Sequence, residues 1–141
     1  IRVLAALIFG PKLSFLYLLP LHIISVIIAP YSTDLLIYDK VFQAFVAAGC
    51  APLAVYAVTF FLGEELATLK TVTARSWRII LLIIVISAVI NGVGQTVIIE
   101  RSLDYSSSIN LAVSYFTGDV FGSIVTIYLA YLVLRRFKFI T

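Results

Sequence analysis

The chain contains four apolar runs that are each long enough to cross a lipid bilayer, and this feature limits its fold more than any other. The runs cover about residues 13–29, 41–62, 79–99 and 111–134. A membrane-spanning helix needs about 20 residues, and each residue adds about 1.5 Å along its axis. Backbone polar groups inside a bilayer must be hydrogen-bonded within the segment, which favours helices. We therefore predict an all-α, polytopic transmembrane helix bundle with four full spans.

Composition supports this class and excludes others. Apolar residues make up 62% of the 141 residues and charged residues 12%, against about 25% charged in soluble domains. The short connections cannot bury a core of their own, so residues 1–141 are predicted to form a single integral membrane domain in the lipid bilayer. One His and one Cys leave no metal-ligand cluster. We expect no enzyme, no catalytic residue, no cofactor, no metal and no nucleic-acid partner.

The first nine residues are too short to span a membrane. We interpret them as the tail of a truncated N-terminal helix that is closed by the turn Gly10-Pro11-Lys12. The chain contains no Met and opens on Ile1, so we expect it to be a piece of a longer protein. The location of Arg2 is left open by this interpretation.

Asp119 lies well inside the fourth run, and it is the main candidate for a signal-sensing or ligand-binding residue. A carboxylate at such depth normally faces a helix interior or a wet cavity, where it is protonated, paired or hydrogen-bonded. Gly118 and Gly122 flank it in a small-xxx-small pattern, which is typical of close helix packing. Ala44 and Ala48 predict a second packing face, on the second span. A role in packing and hydrogen bonding is the conservative interpretation of the whole segment.

The third span carries polar residues in steps of four, Ser87, Asn91 and Gln95, which places them on one helical face. Asn91 and Asp119 both lie about 12 Å below the same membrane surface, counted at about 1.5 Å per residue. We therefore expect Asn91 and Gln95 to lie near Asp119. His22, with Ser25 on the same face of the first span, is a further candidate. A neutral His22 hydrogen-bonded between helices is the conservative interpretation.

Lys and Arg are distributed unevenly between the two sides of the predicted bundle, which predicts its orientation. One side carries Lys12, Lys70, Arg75, Arg78, Arg135, Arg136 and Lys138, and the other carries Lys40 and Arg101. The positive-inside rule then places the C-terminal end in the cytoplasm. Trp77 with Arg75 and Arg78 at one helix end, and Arg135 with Arg136 at another, are expected to anchor the cytoplasmic membrane surface.

Three stretches together resemble a known family. They are the turn Leu7-Ile8-Phe9-Gly10-Pro11-Lys12-Leu13, the hairpin near Leu62-Gly63-Glu64-Glu65-Leu66, and Phe116-Thr117-Gly118-Asp119-Val120-Phe121-Gly122 before a span ending in Arg135-Arg136. This pattern resembles the membrane-associated sensor domain of the MASE type, which is found at the N-terminus of bacterial histidine kinases and diguanylate cyclases. Tyr115-Phe116 stand where the family often has a Trp or paired aromatics, and no Pro follows Gly122. Because the family is longer, the chain looks like its C-terminal part or a reduced relative.

The resemblance implies a sensory input module in the bacterial inner membrane. Such a module passes a signal to a cytoplasmic output domain, in cis or in trans, and a homodimer is compatible with it. The residues alone leave two other classes open. One is a small transporter or channel subunit for protons or a polar solute, with Asp119, His22, Asn91 and Gln95 along the path. The other is a structural membrane anchor in which every polar residue holds helices together.

Overall fold

The computed structural model describes residues 1–28, 36–63, 74–99 and 105–136, and nearly all of them are helical. The helices are α1 (Arg2–Phe9), α2 (Pro11–Ile28), α3 (Ile37–Leu62), α4 (Ala74–Ile99) and α5 (Tyr105–Arg136). In the described part, the four helices α2 to α5 are long and apolar enough to cross a membrane. The predicted all-α helix bundle, with four full spans and a short N-terminal helix, is confirmed.

Three helices begin several residues before the apolar runs that predicted them. We expected α3 to begin at Val41, α4 at Ile79 and α5 at Leu111, whereas they begin at Ile37, Ala74 and Tyr105. The three connections between the predicted spans were therefore too long at their C-terminal ends. A helix can extend beyond the hydrocarbon core with polar residues in its first turn. Hydropathy therefore indicates the part of a helix that lies in the hydrocarbon core and not the residue at which the helix begins. Residues 29–35, 64–73 and 100–104 lie outside the described part of the chain.

The turn between α1 and α2 follows directly from its two residues. Gly10 ends α1 with a φ of 83°, a conformation that favours glycine. Pro11 then opens α2, where its missing N–H costs nothing because the first helical N–H groups have no intrahelical acceptor. The ring of Phe9 meets the ring of Tyr17 edge to face, with centroids 6.3 Å apart. The chain thus reverses at Gly10, and α1 runs back along the bundle beside α2.

The long helices pack in chain order, α2 on α3, α3 on α4 and α4 on α5, and the short α1 contacts all four. Val3 and Ala6 of α1 are buried in an apolar cluster whose other buried members come from α3, α4 and α5: Ala51, Ala54, Val55, Val58, Ile79, Ile83, Ile84 and Ile127. These members belong to the half of the bundle where α3 ends and α4 begins. Helix α1 therefore fills one half of the bundle and stops near its middle.

The alanine face predicted on α3 is confirmed. Ala44 and Ala48 are fully buried, and Ala51 and Ala54 continue the buried face into the apolar cluster. Pro52 lies on the same helix, which runs on through it to Leu62. Many large apolar side chains of α2 and α5 are exposed, which fits surfaces that meet lipid tails.

The close-packing glycines are on α4 and not, as we expected, on α5. A Cβ placed at Gly118 or Gly122 would have no atom of the described chain within 4 Å. No described helix therefore packs closely against either glycine. At Gly92 a Cβ would lie 3.2 Å from the carbonyl oxygen of Ala112 on α5. At Gly94 it would lie 2.5 Å from Cγ1 of Val46 on α3. The small-xxx-small pattern shows only where another helix could approach closely. In the described structure the close approaches are at the glycines of α4 instead, so the prediction for α5 was wrong.

Candidate functional site

Asp119 lies on the inner side of α5 and accepts hydrogen bonds from two other helices. Its Oδ1 forms an ion pair with the guanidinium Nη2 of Arg2 on α1. Its Oδ2 accepts a hydrogen bond of 2.6 Å from Nδ2 of Asn91 on α4. The side chain is only 20% exposed, so most of it is covered by other residues of the bundle. The expected contact between Asp119 and Asn91 is confirmed.

The network continues from Asp119 to α3. Nη1 of Arg2 donates to the carbonyl oxygen of Ala47 at 3.3 Å. Nε2 of Gln95 donates to the carbonyl oxygen of Gln43 at 3.1 Å and lies 3.5 Å from Oδ1 of Asn91. Four helices, α1, α3, α4 and α5, are thus joined by one chain of polar contacts. In the described part of the chain, no buried side-chain nitrogen or oxygen lacks a hydrogen-bond partner.

The polar face predicted on α4 is confirmed by burial. Ser87, Asn91 and Gln95 are all at most 6% exposed, although each carries a polar side chain. A buried amide is costly unless it is hydrogen-bonded, and Asn91 and Gln95 satisfy this condition through Asp119 and the α3 backbone. The amides therefore hold α3, α4 and α5 in one register.

A cavity of about 750 Å³ adjoins this network. Its wall on α3 and α4 is formed by Gln43, Ala47, Asn91 and Gln95, which lie toward the beginning of α3 and the end of α4. The apolar cluster around α1 occupies the opposite halves of the same two helices. Arg2, at the start of α1, lines the cavity at the level where the apolar cluster begins. The bundle thus has one half filled by apolar side chains and one half that contains the cavity and its polar groups, with the ion pair between them.

Helices α2 and α5 complete the cavity wall with further polar side chains. His22 and Ser25 come from α2, and Ser123 and Thr126 come from α5 beside Asp119. The hydroxyl of Thr126 donates to the carbonyl oxygen of Gly122 in its own helix, so its oxygen remains an acceptor. Apart from Asp119, no acidic residue of the described chain lines this cavity. The wall therefore combines one ion pair, amides, hydroxyls and an imidazole with apolar side chains such as Leu18, Leu21 and Val26.

His22 lies on the cavity wall. Its side chain is half-buried and lines the cavity beside Ser25, which confirms that the two share a face. The structure shows no hydrogen bond from the imidazole to another described residue, so the expected bond between helices stays a prediction. A ring that faces a cavity without a fixed partner is free to contact whatever enters it.

The residues expected at the membrane surface are only partly within the described structure. Trp77 is half-buried and packs against the apolar cluster, while Arg78 and Arg136 are exposed near helix ends. The side chains of Arg75 and Arg135 lie outside the part that the structure describes. Among the described residues, no group of three or more His, Cys, Asp and Glu side chains is placed to hold a metal ion.

Two residues of the hydrogen-bond network, Arg2 and Gln43, were not predicted from sequence, and neither were Ser123 and Thr126 of the cavity wall. Arg2 was not assigned because its short helix could not be located from hydropathy. A cation in a segment that is otherwise apolar was the available signal, since such a group needs a partner. Gln43 was missed although it lies four residues before Ala47 on the buried face of α3 and is 7% exposed. Comparison with known proteins adds nothing to these contacts, since no family model, curated protein or solved structure matches the chain.

Proposed function

We propose that the chain is a membrane-embedded sensory input module that passes a signal through α5 to a cytoplasmic output domain, in cis or in trans. The observation that carries this proposal is the position of Asp119. It joins α5 to α1 and α4 at the boundary between the apolar half of the bundle and a polar cavity. A solute or proton that reaches the cavity meets the contacts that hold α5 in place.

The energetics of α5 support its role as the moving element. Ile127 is the one buried apolar side chain that the structure describes on this 32-residue helix, whereas α3 buries a continuous face. The polar contacts of Asp119 therefore supply a large share of what holds α5 to the bundle. Changing one buried hydrogen bond is worth about 1 kcal/mol, which alters the ratio of two conformations by about fivefold. Two packings that differ by so little are what a switch requires.

The resemblance to the membrane-associated sensor domain of the MASE type supports the same proposal, because its Gly-Asp pair is Gly118-Asp119 here. The wider assignment follows from it: a multi-pass protein of the bacterial inner membrane, with the C-terminal end of α5 in the cytoplasm. The unequal distribution of Lys and Arg supports that orientation. A homodimer is compatible with this proposal.

The proposal is tested with Asp119→Asn in the full chain fused to its output or to a reporter of output. The amide keeps one acceptor for Asn91 or Arg2 but removes the charge, so we expect folded protein with a basal output changed about threefold or more. The matched control is Ser114→Ala on the exposed side of the same helix, where the hydroxyl bonds only within α5. Output and membrane amount are measured for both variants. Parental output from Asp119→Asn would reject the signalling role.

A small transporter or channel subunit for protons or a polar solute is the second candidate. It is favoured by the polar wall that α2, α3, α4 and α5 all contribute to the cavity. It is opposed by the apolar cluster, in which Val3 and Ala6 fill the other half of the bundle. Flux of protons or solute through proteoliposomes separates the two functions. A structural anchor would instead tolerate alanine at Asp119 and His22 with no change in output.

A further inference from the structure

We infer that the cavity is a binding site for the anionic group of a small organic molecule or lipid, and that Arg2 and His22 are its recognition residues. The inference rests on the proposed function to the extent that the cavity receives a ligand. The assignment of the ligand's charge comes from the hydrogen-bonding capacity left over on the cavity wall.

Asp119 is already engaged by the protein. One carboxylate oxygen contacts Arg2 and the other accepts from Asn91. A cationic ligand would have to displace one of these donors, and displacing Arg2 would leave a guanidinium without its counterion inside the bundle. A cation is therefore a poor fit for this cavity.

Arg2, by contrast, has capacity to spare. A guanidinium carries five N–H donors, and in the described structure Arg2 directs one nitrogen to Asp119 and another to the carbonyl oxygen of Ala47. Asp119 therefore does not use the paired donors that give Arg its preference for carboxylates and phosphates. Most of the N–H groups remain for a molecule in the cavity that Arg2 lines. An incoming anion can therefore accept hydrogen bonds from Arg2 while the contact between Arg2 and Asp119 remains.

The rest of the wall fits the same chemistry. His22 faces the cavity with no hydrogen-bond partner among the described residues, and its imidazole donates to an anion in either protonation state. Ser25 on α2 and Ser123 on α5 provide hydroxyl donors on either side of the cavity. The acidic and basic side chains of the described wall are one carboxylate, one guanidinium and one imidazole, so its side chains offer more hydrogen-bond donors than acceptors for a charged group.

The site also explains how an occupant would be sensed. An anion at Arg2 shares the guanidinium with Asp119 and weakens the contact that joins α1 to α5. Occupancy of the cavity is thereby converted into a change in the attachment of α5. The same residues thus serve recognition and the release of α5.

The test uses three probes of nearly equal shape and different charge: benzoate, benzamide and benzamidine. The full-length protein is placed in nanodiscs of phosphatidylcholine, and each probe is titrated by saturation-transfer NMR at neutral pH. We expect benzoate to bind about tenfold or more tightly than benzamidine, with benzamide in between, because a charged hydrogen bond is about twice as strong as a neutral one. A preference for benzamidine, or no binding of any probe to folded protein, would overturn the inference.

Two variants connect the charge preference to the residues. Asp119→Asn removes the competing carboxylate and is expected to raise benzoate affinity about tenfold. The double variant Arg2→Gln with Asp119→Asn replaces the ion pair by two neutral amides that can still bond each other, so the fold is retained. It is expected to bind benzoate and benzamide equally. Retained benzoate preference in this folded double variant would also overturn the inference.

A soluble anion and a lipid headgroup are distinguished by adding phosphatidylglycerol to the nanodiscs. If a lipid headgroup with a net negative charge occupies the site, phosphatidylglycerol weakens benzoate binding to the parent but not to the double variant. If the occupant is soluble, benzoate affinity is the same in both lipids. Failure here is separable from failure of the sensory proposal. Parental output from Asp119→Asn rejects signalling and leaves the anion site standing, while benzamidine preference rejects the site and leaves signalling standing.

Discussion

Arg2 and Asp119 are 117 positions apart in the chain and form an ion pair in the middle of the bundle. An unpaired charge inside a membrane costs a few kcal/mol, and the pair offsets most of this cost for both residues. Each charged side chain is therefore stable at this depth only because the other is paired with it. Removing one leaves a charge that the bundle cannot solvate.

This dependence predicts strong coupling in a double-mutant cycle. Arg2→Gln alone and Asp119→Asn alone should each lower the free energy of unfolding by about 2 kcal/mol. The double variant should be nearly as stable as either single variant, which gives a coupling energy of about 1–3 kcal/mol. Unfolding in mixed micelles with increasing sodium dodecyl sulfate measures all four proteins. Ser114→Ala is the control and should stay within about 0.5 kcal/mol of the parent, whereas additive effects would show that the pair is not coupled.

Counting residues from the membrane surface was sufficient to predict from sequence that Asn91, Gln95 and Asp119 lie close together. Asn91 and Gln95 were placed opposite Asp119 because residues at equal distance from the same membrane surface lie at one level. Arg2 could not be placed in this way, since eight residues do not define a span and the direction of α1 depends on the turn at Gly10. The cavity was equally out of reach, because it depends on how the five described helices pack together and not on any residue pattern.

At the scale of the helices, α4 is the element on which the others pack. It contacts α3 through Gly94, contacts α5 through Gly92, and carries both amides of the polar network. Helix α5 has open space at Gly118 and Gly122 and holds to α4 by fewer buried groups. The order and number of helices followed from hydropathy, but hydropathy could not say which glycines face a neighbour.

A pair of alanine substitutions tests this difference between α4 and α5. Gly94→Ala brings a methyl against Val46, whose branched side chain has little rotamer freedom, and should destabilise the bundle by about 1–3 kcal/mol. Gly118→Ala meets open space and should be neutral, or stabilising by up to about 1 kcal/mol, because alanine is the better helix former. Thermal unfolding in detergent compares the two. The reverse ranking would mean that α5 packs on another helix through Gly118.

At the scale of the whole molecule, the bundle is divided into two unlike halves. One half is filled by α1 and its apolar neighbours, and the other contains the polar cavity. This division predicts that the two halves differ in their access to water and to reagents dissolved in it. Four helices long enough to cross a membrane were predictable from the apolar runs, whereas this asymmetry required the position of α1.

Cysteine labelling tests the division. Ser25→Cys on the cavity wall should react with a membrane-impermeant methanethiosulfonate reagent, and it should react from the non-cytoplasmic side if the C-terminal end of α5 is cytoplasmic. The parent chain is the matched control, because its single Cys50 is fully buried and should not react. Labelling is followed by mass spectrometry of intact cells and of inverted vesicles. Reaction only in inverted vesicles would reverse the orientation, and no reaction in either would contradict an open cavity.

The great separation along the chain between the guanidinium of α1 and its carboxylate on α5 has a consequence for biosynthesis. Translation delivers the cation to the membrane long before the anion, so the first four helices must be held with that positive group unneutralised. Only the arrival of α5 completes the pair. Nascent chains halted before this point would carry a defect that cellular quality control can detect, and closure of the ion pair would mark the docking of α5 on the other described helices.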